Sequence, residues 1–136
     1  MACYNTGLQS YQKWFIGNDI RAILLADGAV SGQVGNHIYP CVAPENTLGD
    51  FIVYQRSKYS KESVKMGVYS DDCEVAVVAI SENYDNAIAL ASKIDNALTG
   101  NHVVGENNVR IKIELKDSTE VFEDNKYIET LLFEIK

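Results

Sequence analysis

The chain has 136 residues with 46% hydrophobic and 23% charged side chains, and its formal net charge is −7. This composition is typical of a globular protein and disfavours a disordered chain. The acidic balance argues against a general nucleic-acid binder, because neutralising phosphates requires a basic face. The length predicts a single domain over residues 1–136.

The cellular setting predicted from the sequence is a reducing cytosol. Residues 1–17 lack the basic start, the apolar core and the cleavage site of a signal peptide. No apolar run approaches the roughly 18 residues of a membrane helix, so no membrane partner is expected. Cys3, Cys41 and Cys73 are odd in number and far apart, which disfavours a closed disulfide framework.

Helices and a short extended segment are predicted in the first third of the chain. Asn18 and Asp19 are suited to cap a helix that ends near residues 27–28. Residues 8–15 also show helical spacing. The glycine-rich stretch that follows predicts one irregular helical turn and then an extended segment over residues 37–42. Its two prolines keep that segment at a sheet edge or in a loop.

Strong strand and helix patterns follow. Residues 51–59 are rich in β-branched and aromatic side chains and predict a strand. Residues 73–80 are apolar nearly throughout, which is typical of a central strand buried on both faces. Between the cap Asn83 and the stop Gly100, apolar side chains recur every three or four residues and predict a helix.

Two alternating segments at the C-terminus predict a hairpin. Apolar and polar side chains alternate over residues 109–116 and again over 127–135, and residues 123–125 carry a turn signal. The order of elements predicts an α+β fold. We expect an antiparallel sheet of about four to five strands, with two main helices packed on one face.

Few residues suit catalysis or metal binding. His37 and Cys41 have metal-like spacing, but one such pair falls short of the four ligands that zinc usually takes. A nucleophilic Cys41 or Cys73 acting with His102 is a weak alternative, because Cys73 opens an apolar strand where a thiol behaves as a small hydrophobe. The sequence therefore predicts no catalytic residue, no cofactor and no metal site.

Two acidic clusters leave a carboxylate- or metal-dependent hydrolase open as an alternative. Paired acids can perform acid–base chemistry or bind a divalent cation when they converge. Both clusters fall at predicted turns and strand ends, where acids are ordinarily solvated. The clusters are Asp71, Asp72 and Glu74, and Glu120, Glu123 and Asp124.

The charge is unevenly distributed along the chain. Residues 51–68 have a net charge of +3, whereas every other part of the chain is acidic. This segment reads either as a solvated hairpin arm or as a contact surface for an acidic partner, such as a neighbouring subunit. The candidate contact residues are Arg56, Lys58, Tyr59, Lys61 and Lys65.

The order of motifs resembles the tail-completion proteins of long-tailed phages and prophages, which are relatives of tail terminators. The matching motifs are VGNHIYP, VAPENTLGDFIVYQR, the polar arm over residues 57–67, the helix with repeated alanines ending in leucine-threonine-glycine, and the C-terminal hairpin. The resemblance covers about residues 18–136, and it implies that residues 1–17 are an N-terminal extension beyond the usual start of the family. His37 departs from the arginine that is common in the family.

The resemblance implies a structural protein of the virion tail, made in the cytoplasm of the bacterial host, and not an enzyme. It implies a homo-oligomeric ring, commonly a hexamer, that caps the tail tube and joins it to head-connector proteins. DNA would pass through the lumen without specific binding. The alternative within the same particle is another head–tail connector or a minor tail component.

Overall fold

The computed structural model describes residues 13–63, 69–105 and 108–136 of the chain. A 3-10 turn at Lys13–Phe15 precedes three helices, α1 (Ile16–Ala26), α2 (Gly28–Val34) and α3 (Tyr84–Leu98). The strands are β1 (Ile38–Pro40), β2 (Phe51–Ser63), β3 (Tyr69–Ser81), β4 (Gly100–Val104), β5 (Val109–Glu123) and β6 (Lys126–Ile135). Within the described residues, no helix is long and apolar enough to cross a membrane.

The strands form one six-stranded sheet in the order β1-β2-β3-β6-β5-β4. The α+β class is confirmed, but the predicted count of four to five strands and the all-antiparallel pairing are wrong in detail. β1 runs parallel to β2, because the ten-residue loop between them carries the chain from the end of β1 back to the level where β1 begins. β4 was missed because five residues directly after a helix carry too little alternation to stand out.

Helix starts differ from the predicted ones. α1 begins at Ile16, so Asn18 and Asp19 lie inside the helix and no side chain caps its start. Asp27 was predicted to end a helix, and it also begins the next one. Its carboxylate accepts hydrogen bonds of 3.0 Å from the amides of Ala29 and Val30, and the irregular turn becomes helix α2.

The predicted boundaries of α3 and the predicted turn of the C-terminal hairpin are confirmed, whereas β5 extends to Glu123, past the predicted residues 109–116. The side chain of Asn83 accepts a 3.1 Å hydrogen bond from the amide of Asn86 at the start of α3. Gly100 follows the helix with a φ of +124°, a conformation that favours glycine. Asp124 and Asn125 form the β5–β6 turn with φ values of +52° and +61°.

All three helices pack on one face of the sheet, which we call the helix face. Along β3 and β6 every second side chain points into this core, including Val75, Val77, Leu131 and Phe133. The core also takes one stripe from each helix, such as Ile20 of α1. Because burial is the dominant favourable term in folding, this face supplies most of the stability.

The opposite face, the outer face, has no helix on it among the described residues. Its side chains in the middle of the sheet are nonetheless apolar. They are half-buried, and no described helix packs on them. This corrects the prediction that the central strand is buried on both faces. The half-buried apolar side chains of the outer face include Val53, Ala76, Val78, Ile80, Ile128 and Leu132, and Phe51 beside Ile80 is buried on this face against Tyr39 and Lys126.

Candidate interaction surfaces

The β2–β3 hairpin extends past the rest of the sheet as a two-stranded arm. β6 stops pairing at Ile135, opposite Cys73, whereas β2 and β3 continue to pair as far as Ser63 and Tyr69. Lys65 lies outside the described residues. That the arm contacts a partner stays a prediction. The described candidate contact residues on β2 are Arg56, Lys58, Tyr59 and Lys61.

On the helix face, the base of the arm carries a basic–aromatic patch formed by Trp14, Arg56, Tyr59 and Lys61. The guanidinium of Arg56 lies 4.7 Å from the centre of the Trp14 ring and donates a 3.1 Å hydrogen bond to the Trp14 carbonyl. Tyr59 packs edge-on against Trp14, and the Lys61 ammonium lies 5.7 Å from the Tyr59 ring. Trp14 is 57% exposed, so this patch combines cations with accessible aromatic surface.

On the outer face of the arm, the basic charge is compensated within the chain. The Lys58 ammonium lies 2.6 Å from a carboxylate oxygen of Asp72 on β3. The hydrogen bond from Lys58 lowers the pKa of Asp72, and the same bond raises the pKa of Lys58. Strand pairing therefore neutralises part of the +3 segment. Among the described residues of the arm, the cations outside this ion pair are Arg56 and Lys61, which lie on the helix face.

The first acidic cluster converges, but its members are paired with lysines. Ligand atoms of Asp72, Glu74 and Glu134 lie within 4.8 Å of one another. The side chain of Asp71 lies outside what the structure describes. Each of the three acids has an ammonium partner, which favours an ion-pair network over a metal or acid–base site. The pairs are Lys58 with Asp72, Lys116 with Glu74, and Lys136 with Glu134.

The three acids of the second cluster do not come together at one site. Glu123 and Asp124 lie at the β5–β6 turn, whereas Glu120 faces Glu129 across the hairpin on the helix face. The Tyr84 hydroxyl at the start of α3 donates to the Glu120 carboxylate at 3.1–3.2 Å. Glu129 Oε2 is buried without a hydrogen-bond partner in the structure as described.

The Glu120–Glu129 pair is poorly compensated. Burial first, and then the hydrogen bond and charge of Glu120, raise the pKa of Glu129 to about 7. No lysine or arginine of the described residues forms an ion pair with either carboxylate. Unlike the first cluster, this pair is suited to receive a cation from outside the chain.

Most of the uncompensated negative charge lies at this end of the sheet, which we call the acidic end. The acidic end also exposes aromatic surface, since Phe122 is 58% exposed and packs against Tyr127. Lys126 is the lysine of the β5–β6 turn, where it donates to the Thr47 carbonyl. The acidic side chains here are Asp50, Glu82, Asp85, Glu120, Glu123, Asp124 and Glu129.

The cysteine and histidine alternatives are not supported. Cys73 is buried in β3, and His102 lies on the edge strand β4, three strands away. His102 instead bonds the Leu98 carbonyl through Nε2 at 2.7 Å. His37 and Cys41 are exposed at either end of β1, where His37 stacks on Tyr39 with ring centres 6.2 Å apart. Cys73 on β3 and Cys41 after β1 are therefore both separated from His102 by intervening strands of the sheet.

Sequence reasoning missed three participants in these surfaces. Glu129 is equidistant with Glu120 from the 124–125 turn, so hairpin symmetry alone pairs them. Glu134 was seen only as a polar position in an alternating strand. Trp14 lies in the N-terminal extension, and no pattern in the sequence connects it to Arg56, which lies 42 residues away.

Comparison with known proteins agrees with the resemblance. The model of the family described as "Tail completion protein gp17" matches residues 18–133. A solved chain from a structure titled "Virion of native gene transfer agent (GTA) particle" has a TM-score of 0.72 and 19% identity, covering 85% of this chain and 89% of that one. At that identity, the likeness is one of fold. No curated protein matches the sequence.

The family match contains helices α2 and α3 and strands β1 to β5 in full, together with most of α1 and of β6. It includes the arm, the outer face and the acidic end, whereas Trp14 of the basic–aromatic patch lies before its first residue. The chain therefore belongs to the gp17 family of tail completion proteins, which are structural proteins of the phage tail and not enzymes, and it is located in the tail of the virion.

Proposed function

We propose that this protein acts as a tail terminator, forming a homo-oligomeric ring of six copies that caps the tail tube and joins it to the head-connector proteins. The family supports a role in completing the tail. A ring with a lumen provides passage for DNA without sequence-specific contacts. The net charge of −7 would repel DNA phosphates and keep the DNA from adhering as it slides.

The observation that carries the proposal is the outer face of the sheet. Val53, Val78 and Leu132 expose apolar surface in the middle of a sheet that the described helices cover on one side alone. Contiguous apolar surface of this kind marks sites of protein–protein contact. An assembly protein needs such surfaces, and its partners are neighbouring copies and the components of the tail.

The first test is tail length in a phage that lacks this gene. Terminated tails require the cap, so we expect tubes of unregulated length and no joined heads. Normal, bounded tails that still join heads would overturn the terminator role. Normal tubes without heads would favour the alternative, a connector component.

The second test concerns the arm. Lys58, Lys61 and Lys65 changed together to glutamate are expected to weaken assembly while the fold stays intact, because the arm lies outside the core. Light scattering of purified protein, with and without tail tubes, measures the mass, and circular dichroism checks the fold. An unchanged oligomer mass would remove the arm from the interface.

A further inference from the structure

Two long stretches of strand edge have no partner among the described residues. β1 pairs with β2 at Ile52, Val53 and Tyr54 and no further, which leaves the outer edge of β2 open over residues 55–63. β4 pairs with β5 as far as Ile113, which leaves the edge of β5 open over residues 114–123. Open edges present unpaired amide and carbonyl groups and are templates for pairing with another chain.

The two open edges carry opposite charge. The edge of β2 holds Arg56, Lys58 and Lys61 against a single acid, Glu62. The edge of β5 holds Glu114, Asp117, Glu120 and Glu123 against a single cation, Lys116. Charges of opposite sign on facing strands stabilise pairing, and like charges oppose it. Each edge therefore disfavours pairing with its own kind and favours the other.

These edges cannot meet within one chain. β3 and β6 lie between β2 and β5, so the two edges are about 14 Å apart and face away from each other. β2 and β5 run in opposite directions, because each of the three intervening pairings is antiparallel. At equal level, most of the open part of β2 lies opposite residues of β5 that β4 already covers. Two copies in the same orientation that are shifted by about eight residues along the strands bring the open edge of β2 in one against the open edge of β5 in the next, as an antiparallel pair.

We propose that the open edge of β2 in one copy pairs with the open edge of β5 in the next copy, so that Arg56 and Lys61 face the Glu120–Glu129 pair of that neighbour. This proposal rests on the proposed function, since it names the subunit contact of the ring. The contact is heterologous, because it joins two different surfaces, and a heterologous contact that closes produces a ring.

The local chemistry at each edge supports the proposal. The basic–aromatic patch offers Arg56 and Trp14, residue types that dominate the energetics of interfaces. The acidic end offers exposed Phe122 and a carboxylate pair with no cation of its own in the described chain. A neighbouring cation would favour the charged form of Glu129, whose pKa is about 7 in the single chain.

Hydrogen exchange of the wild-type protein tests the strand pairing directly. We expect amides of residues 55–61 and 114–123 to gain protection in the oligomer relative to dissociated protein, with slowing of about tenfold or more. Residues 109–113 are the matched control, because β4 already pairs with them. Protection gained elsewhere while both edges stay unchanged would overturn the proposal.

A charge exchange tests the residue pairing. Lys61→Glu and Glu120→Lys should each raise the concentration needed for assembly about tenfold or more, and mixing the two variants should restore it, because each repulsive contact becomes attractive. Lys112→Glu is the matched control, since its charge change lies where β5 is already paired with β4. Assembly that neither variant weakens, or that mixing fails to restore, would overturn the proposal.

The outcomes separate this inference from the proposed function. A wild-type oligomer that withstands both charge reversals contradicts the edge pairing and leaves the ring in place. A wild-type chain that stays monomeric on its own and on tail tubes contradicts the ring, and the edge pairing with it. Circular dichroism of each variant, including the Lys61→Glu/Glu120→Lys double variant, confirms that a lost assembly is not a lost fold.

Discussion

The two faces of the central sheet are built from the same strands but are used differently. Along β6, Leu131, Phe133 and Ile135 are buried under the helices, whereas Leu132 between them is half-buried on the outer face. Both faces are apolar, so composition alone does not distinguish them. Stability therefore depends mainly on the helix face, which leaves the outer face available for assembly.

Neighbouring valines on β3 give the largest contrast. Val77 is fully buried, so Val77→Glu places an unpaired carboxylate in the core and costs several kcal/mol, enough to unfold a marginally stable domain. Val78→Glu points to the outer face and should leave the chain folded. Far-UV circular dichroism and urea unfolding measure both. If Val78→Glu also unfolds the monomer, a part of the chain covers the outer face.

Truncation on β6 sharpens the same contrast. Phe133→Ala should destabilise by about 3–5 kcal/mol, because it leaves a cavity among fully buried side chains. Leu132→Ala removes a half-buried side chain and should cost about 1 kcal/mol. Urea midpoints give the difference, and equal losses would show that the two faces are equally covered.

The acidic end of the helix face has a pH-dependent effect of smaller size. Because the pKa of Glu129 is raised from 4.5 to about 7, the folded chain holds a proton that the unfolded chain releases. Its contribution to stability is present below pH 4.5 and is lost as the pH rises through about 7. The Tyr84 hydroxyl on α3 and the Glu120 carboxylate on β5 face the same group.

Glu129→Gln removes this loss of stability at rising pH, because the amide side chain stays neutral. The variant should be more stable than the wild type near pH 8 and about equal to it near pH 5. The difference should be less than about 1 kcal/mol, since water screens a partly exposed carboxylate. Urea unfolding across this pH range measures it, and a constant offset at all pH values would contradict titration of Glu129 as the cause.

The outer-face ion pair on the arm has the smallest expected effect. Lys58→Gln should leave the unfolding midpoint unchanged, because exposed pairs contribute little. It should return the pKa of Asp72 towards its ordinary value, since the hydrogen bond that lowers it is lost. A carboxyl titration by NMR detects that change, and a large loss of stability would mean that the arm is part of the folding unit.

The sequence predicted the elements whose pattern is local. Asn83 and Gly100 bracket α3, and the 124–125 turn fixes the last hairpin. The short strand β4 was beyond it, because five residues show no periodicity and pair only through long-range contacts. β1 lies within the extended edge segment predicted over residues 37–42, but its parallel pairing with β2 has no local signal. The same limit applies to the surfaces, since charge along the chain identified the arm but not the strand that neutralises Lys58.

Two extra residues shape the sheet. Ser57 in β2 and Lys116 in β5 have no partner of their own in the strand pairing, and both bulges lie at the same level, beside Glu74 and Leu132. Ser57 Oγ donates to the Glu74 carbonyl at 3.2 Å, and the Lys116 ammonium bonds the Glu74 carboxylate. Glu74 thereby bonds to the extra residue of both bulges, one through its backbone carbonyl and the other through its side chain.

Each bulge reverses which face of the sheet the following side chains of its strand point to. With Ser57 present, Tyr59 and Lys61 face Trp14, and Lys58 faces the opposite way. Deleting that one residue would exchange the two faces along the rest of the strand, as any shift of one position does in a sheet. The face on which the arm presents its cations thus depends on the number of residues in β2 and not on which residues they are.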